Sequence, residues 1–163
     1  MIAARSLAAP EAPTDTVTLP YAERYRRRGV LTSDGGEAFL LDLAEASELP
    51  DGQALVLEDG RHFLIRAAAE PLAEVQAAST ALARLAWHIG NRHTPAQVES
   101  SRLLIQRDHV VEAMLTRLGA RVSHVDAPFH PEGGAYGHGR THAHAHGHDP
   151  QADPNAHIPH RHG

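Results

Sequence analysis

The apolar residues of this chain change period at Glu70-Pro71, and that change limits the architectures it can adopt. Before it, short apolar runs are separated by turn residues. Thr16-Val17-Thr18-Leu19 alternates and stops at Pro20. Residues 29–32 and 38–43 flank Ser33-Asp34-Gly35-Gly36, and residues 54–57 and 62–65 flank Glu58-Asp59-Gly60, so each pair predicts a hairpin. Pro50-Asp51-Gly52 marks a further turn. Several short strands at this spacing predict a small all-β unit over residues 1–70, either a sandwich or an open barrel. Residues 1–14, rich in Ala and Pro, are expected to fray.

Beyond Glu70-Pro71 the pattern reads strand (72–76), helix (79–89), strand (96–99), strand (103–106), helix (108–118), strand (121–127). This β-α-β-β-α-β order predicts a ferredoxin-like unit over residues 71–136, and the chain as a whole is α+β. Ser79 and Asp108 are candidate N-caps. The second helix carries the stripe Val111, Met114, Leu115 and Leu118 and meets Gly119 at its end.

After Ala135 large apolar residues nearly vanish and Gly, His, Pro, Ala and Asp dominate. Such a segment buries too little surface to offset its ordering entropy, so residues 137–163 are expected to be a disordered tail. The chain has 14 histidines, and eight of them lie between His138 and His162. His142, His144, His146 and His148 alternate with small residues, and His138 stands just before them, so a flexible chain can wrap several imidazoles around one ion. With no cysteine, a metal must be held by nitrogen and oxygen; imidazole suits nickel, zinc, copper(II) and cobalt. A formal net charge of −5 gives no basic footprint for nucleic acid. No apolar run approaches the roughly 20 residues of a membrane span, and Met1 to Pro20 lacks a signal-peptide pattern. A cytoplasmic protein is expected.

One stretch concentrates unusual residue types: Trp87-His88-Ile89-Gly90-Asn91-Arg92-His93-Thr94-Pro95-Ala96-Gln97. Leu82, Leu85, Ala86 and Ile89 form the apolar stripe of the preceding helix. Gly90-Asn91 supplies residue types that tolerate the left-handed conformation, and Pro95 blocks resumption, so the helix is expected to stop at Gly90-Asn91. His88 then lies in the last turn and His93 just beyond it. Five residues apart is about 140° on a helix, so the two imidazoles do not make an i, i+4 chelate. His93 is presented alone at a helix end.

The word His-Ile-Gly-Asn-Arg-His-x-Pro-x-Gln resembles the His-Leu-Gly-Asn-Arg-His-x-Pro signature of the urease accessory nickel chaperones, the UreE family, with Ile89 in place of the usual Leu. Residues 108–115, Asp-His-Val-Val-Glu-Ala-Met-Leu, resemble that family's second-helix motif. Residues 128–136, Pro-Phe-His-Pro-Glu-Gly-Gly-Ala-Tyr, resemble the motif that precedes its His-rich tail. The likeness is collinear over nearly the whole chain.

The resemblance implies a homodimeric, cytoplasmic chaperone that delivers Ni²⁺ to apo-urease, with the urease apoprotein and its accessory complex, including the nickel-insertion GTPase, as partners. It implies an N-terminal unit similar to a peptide-binding domain of heat-shock co-chaperones. It makes His93 the principal ligand, facing its symmetry mate across a two-fold axis, with tail histidines or water completing the set. A flexible stretch of 26 residues spans roughly 25–30 Å, at about 5–6 Å times √n. Some members carry a second site at the position of His109 together with a histidine two residues earlier. Here that earlier residue is Arg107, which leaves His109 either a lone ligand or a helix-start residue. A His-rich nickel or zinc buffer without a client is the alternative. No nucleophile motif or phosphate loop marks an enzyme. His88 is expected to pack or hydrogen-bond near the loop, and His62, His124 and His130 read as isolated. Arg24, Arg26, Arg27 and Arg28 form either a solvated strand edge or a docking patch for an acidic partner.

Overall fold

The structure is a computed structural model and describes residues 1–133, which divide between two sheets. Six strands build the first: β1 (Ala3–Ala8), β2 (Asp15–Leu19), β3 (Tyr25–Thr32), β4 (Ala38–Glu48), β5 (Ala54–Leu57) and β6 (His62–Ala67), in the order β2-β6-β5-β1-β4-β3. Both hairpins read from the turn residues are present. Gly36 and Gly60 adopt φ of +94° and +86°, a conformation glycine reaches without steric cost. The Arg61 guanidinium joins the two hairpin tips, donating to both Glu37 oxygens at 2.6 and 2.7 Å and to Asp59 at 2.7 Å.

The first strand corrects the expectation of a frayed start. β1 lies inside the sheet, parallel to β4 (Ala3 beside Leu40) and antiparallel to β5. Ala3 and Ala4 are buried. Alanine has low strand preference and displays no alternation, so neighbours on both sides make this strand rather than its own pattern.

All six strands feed one apolar cluster that includes Ala4, Val17, Leu31, Phe39, Leu41, Leu55 and Phe63. Phe39 and Phe63 meet edge to face at 5.2 Å. The edge strands approach each other as well. Asp34, in the turn after β3, donates its N–H to the Thr16 carbonyl of β2 at 2.8 Å, and its carboxylate accepts from the hydroxyls of Thr16 and Thr18. Of the two architectures the spacing left open, a single curled sheet is the one observed.

The second sheet holds β7 (Ala69–Ala77), β8 (Ala96–Val98), β9 (Leu103–Gln106) and β10 (Ala120–Pro128) in the order β10-β7-β9-β8, every pair antiparallel. Helix α1 (Leu82–Asn91) joins β7 to β8 and α2 (His109–Arg117) joins β9 to β10. This is the expected β-α-β-β-α-β chain order. Leu85 and Ile89 of α1 and Val111 and Leu115 of α2 pack on Ala73, Val75, Leu103 and Ile105, so both helices cover one face. The change of sheet falls at Ala68, and Glu70-Pro71 lies inside β7.

Asp108 caps α2 as read, its Oδ1 accepting from the N–H of Val110 at 2.9 Å and of Val111 at 3.1 Å. Ser79 does not cap α1. Its N–H donates to the Gly119 carbonyl at 3.0 Å, and the helix begins at Leu82 behind Ala81, with no side-chain cap.

The opposite face of the second sheet, at Leu72 and Leu104, is covered by Phe129 with Tyr21, Val125 and Ala127. Tyr21 comes from the short 3-10 turn Tyr21–Glu23 before β3, so the two sheets share this small core. Arg24 is buried here and donates from Nη2 to the Phe129 carbonyl. It is therefore not part of a surface arginine cluster. Arg27 and Arg28 do lie exposed on β3, an edge strand, with Arg28 3.5 Å from Asp42. Among the described residues no helix is long and apolar enough to cross a membrane.

Candidate metal centre

Helix α1 does not stop at Gly90-Asn91. Both are helical, Arg92 is the C-cap, and the left-handed residue is His93 itself, at φ +55°. The His93 N–H donates to the Gly90 carbonyl at 3.0 Å and the Thr94 N–H to the Ile89 carbonyl at 3.3 Å. These two bonds close the helix in the manner usually entrusted to glycine. For an L-residue the left-handed conformation costs about 1–2 kcal/mol. Backbone strain of this kind persists where surrounding structure over-determines it, and here Ile89 is fully buried on one side while Pro95 prevents helix continuation on the other. The outcome is an exposed imidazole on a backbone held at a fixed position.

His93 sits on the wall of a shallow cavity of about 300 Å³ with Ala86, Gly90, Pro95, Val98, Glu132 and Gly133. The wall is apolar at Ala86, Pro95, Ala96 and Val98, and Trp87, the residue after Ala86 on α1, is 61% exposed. The far wall is a strap after β10. The His130 N–H donates to Gln97 Oε1 at 2.9 Å and the Glu132 N–H to the Ala96 carbonyl at 2.8 Å, so the strap lies along β8, an edge strand. The Gln97 amide is itself oriented, since its Nε2 donates to Glu99 at 3.0 Å. Arg102 anchors Glu99 at 3.1 Å and Glu74 at 2.7 Å. The Glu74 bond, and then that of Glu99, hold the guanidinium proton still more firmly than usual.

The other histidines have different surroundings. His88 is half-buried, and its ring meets Trp87 edge to face at 5.0 Å. His109 is exposed as the first residue of α2, where the positive end of the helix dipole disfavours a cation. Two of the three histidines read as isolated have partners: His62 Nδ1 accepts the Glu11 N–H at 3.1 Å, and His124 Nε2 lies 2.5 Å from Glu112 Oε1. Among the described residues no three His, Asp or Glu side chains gather where they could hold a metal ion. His93 and His109 are thus not joined by a third such group into one ligand set among the described residues. His138, His142, His144, His146 and His148 lie outside the described residues.

The strap and its anchors were not singled out from sequence as parts of the site. The signal was nevertheless there, because Gln97 closes the first motif and Phe129 and Glu132 belong to the third.

Comparison with known proteins matches two family models in chain order. One is described as the UreE urease accessory protein, N-terminal domain, over residues 2–68, and the other as the UreE urease accessory protein, C-terminal domain, over residues 70–162. A protein of Ruegeria sp. (strain TM1040) is 57% identical over 132 residues, covering 81% of this chain and 74% of that one. One of Paracoccus denitrificans is 58% identical over 125 residues (77% and 79%), and one of Ruegeria pomeroyi 57% over 128 residues (78% and 85%). All three bear the name urease accessory protein UreE.

Proposed function

This chain belongs to the UreE family of urease accessory proteins, and from that membership we infer that it is a nickel-binding metallochaperone that delivers Ni²⁺ to apo-urease during assembly of the active site. Nickel is its cargo, and its work is binding and release rather than bond-making. We place the nickel at His93. The observation that supports this is the strained, exposed His93 on the wall of a partly apolar cavity, where no set of three possible ligands gathers among the described residues.

A lone imidazole holds nickel poorly. In a homodimer a two-fold axis doubles it, since the same residue arrives from each chain. Trp87 and Val98, both more than half-solvated or close to it in the single chain, give the apolar surface such an interface would bury. The strap reaches the wall of the same cavity at Gly133, and His138 follows five residues later in the sequence. We take the tail histidines His138, His142, His144, His146 and His148 as the capturing ligands that complete the shell. Few fixed protein ligands leave positions at which a recipient can compete, which suits handover. Zn²⁺, Cu²⁺ and Co²⁺ suit the same imidazoles. The expected recipients in the cytoplasm are the urease apoprotein and its accessory complex with the nickel-insertion GTPase. In this reading the curled first sheet, residues 1–70, is the docking unit, residues 71–136 are the metal-binding unit, and residues 137–163 are the tail.

Calorimetric titration tests the assignment in a chain ending at residue 136, which keeps every core residue named above. It should bind roughly one nickel per pair of chains, because one ion takes a histidine from each. His93→Ala should abolish that binding while light scattering still reports a dimer. Undiminished tight binding would remove His93 from the site.

A further inference from the structure

We propose that the Glu132 carboxylate is a second nickel-binding group of the His93 cavity, so that each chain offers one imidazole and one carboxylate to a shared ion. The proposal rests on the reading of His93 as a ligand that two chains contribute to one nickel, and it adds an oxygen donor to that site.

Glu132 is seated by its backbone, which leaves its side chain free for other use. Phe129 is fully buried against Leu72 and Leu104. The chain after it lies along β8, where the His130 N–H donates to Gln97 Oε1 at 2.9 Å and the Glu132 N–H to the Ala96 carbonyl at 2.8 Å. Ala96 stands three residues after His93, so this bond ties Glu132 to the segment that leaves the left-handed turn. Both residues then line one cavity of about 300 Å³. Of the nine residues in that lining, Glu132 is the only one with a carboxylate, and none is Lys or Arg.

The other glutamates of the second sheet and its helices are engaged. Glu70 accepts from the Tyr21 N–H and from Gln106, Glu74 and Glu99 hold Arg102, and Glu112 accepts the Asp108 N–H and faces His124. Among the described residues none takes up the Glu132 carboxylate, and the residue is exposed.

Charge points the same way. A Ni²⁺ ion held by neutral imidazoles alone keeps both positive charges beside a wall that is apolar at Ala86, Pro95, Ala96 and Val98. Uncompensated charge next to apolar surface is costly, and one carboxylate from each of two chains cancels it. The cavity also adjoins the C-terminal end of α1, where the helix dipole favours a cation. Two nitrogens and two oxygens form a mixed set that Ni²⁺ accepts in tetragonal geometry, with further positions left to water or to a recipient's ligands. No three possible ligands gather within one chain among the described residues, so such a set requires the second copy.

The test uses the full chain with the eight histidines between His138 and His162 replaced by Ala, so that those imidazoles do not bind. Calorimetric titration of this parent should give about one nickel per two chains. Glu132→Gln keeps the size and removes the charge. Its nickel affinity should fall by about tenfold or more, with light scattering still reporting a dimer and the urea midpoint unmoved. Co²⁺ suits the same imidazoles and gives a visible absorption spectrum that shifts when an oxygen ligand is exchanged. At saturating cobalt the Glu132→Gln spectrum should differ from the parent's. Equal nickel affinity in the two proteins would overturn the proposal. So would a weaker affinity with an unchanged cobalt spectrum, which would leave the carboxylate outside the ion's shell. If Glu132→Gln does not dimerise, Glu132→Asp, which keeps the charge and withdraws it by one methylene, gives the same two readings. His93→Ala in the same background separates the two levels. Nickel binding that survives there removes His93 from the site and the proposal with it. Binding lost there but unchanged in Glu132→Gln removes Glu132 alone.

Discussion

Two helices of the second sheet end the same way with different residues. Helix α2 closes on Gly119 at φ +100°, and α1 closes on His93 at φ +55°. The backbone requirement is identical, a left-handed residue that turns the chain out of the helix. Glycine meets it at no steric cost, whereas histidine meets it against a penalty. The cost is tolerable at one site because a buried helix face holds the turn in place. The comparison shows which end is built for stability and which for display. Gly119 is packed against Ser79, while the His93 side chain stands in solvent at a cavity.

Exchanging the residues should separate the two roles. Gly119→Ala gives the largest loss of stability, about 2 kcal/mol, from left-handed strain and from a Cβ placed into Ser79. His93→Gly should move stability the other way, by roughly 0.5–1 kcal/mol, because the strain is relieved against a smaller entropic loss. It should also abolish nickel binding in the chain ending at 136, as His93→Ala does without the gain in stability. Urea titration of the three variants reads both signs. A His93→Gly protein less stable than the parent would mean that the imidazole itself packs, and that the strain is not functional.

The first sheet is expected to have an acid response of its own. There, the hydroxyls of Thr16 and then Thr18 hold the Asp34 carboxyl below its usual range, and Arg61 does the same for Glu37 and Asp59. A carboxylate with a lowered pKa in the folded state contributes stability that is present above its unfolded value. That contribution is lost as pH falls through the folded value, so the window lies below about pH 4. The hairpin tips and the β2 contact that curls the first sheet should loosen there before α1 and α2. Amide exchange followed between about pH 5 and 3 would show it, and simultaneous loss in both sheets would contradict the distinction.

What was legible in the sequence was what is local. Asp34-Gly35-Gly36 and Asp59-Gly60 announce hairpins because turn chemistry is confined to a few residues. Leu82, Leu85 and Ile89 announce a helix because its period is. The failures were cases where distant chain decides. Ala3 and Ala4 carry no strand pattern and become a strand only through β4 and β5. Arg24 looks solvated among three other arginines and is buried by a carbonyl 105 positions away. Gly90-Asn91 was the better left-handed candidate by residue type, yet the helix runs two residues further and leaves that conformation to His93. The metal-binding word was readable, and the strain that marks its last histidine was not.

The smallest expected effect concerns the other helix terminus, the start of α2, where a histidine also stands exposed. His109 occupies the first helical position, its neighbours Val110 and Val111 already capped by Asp108, so its removal leaves no backbone donor unsatisfied. Alanine has the higher helix propensity, and the change in stability should stay within about 0.5 kcal/mol. Its effect on nickel should be under about twofold, since the helix dipole opposes a cation there and the exposed Arg107 adds a second positive charge. The contrast with His93 is thus between a helix C-terminus, whose partial negative charge favours a metal ion, and an N-terminus, whose partial positive charge repels one. Calorimetry of His109→Ala in the chain ending at 136 reads it directly. A tenfold loss of affinity would put a ligand at the wrong end of a helix and undo the comparison. Arg107→His, which removes the adjacent charge and supplies a second imidazole two residues away, should then raise nickel capacity only if position 109 is free to turn toward it.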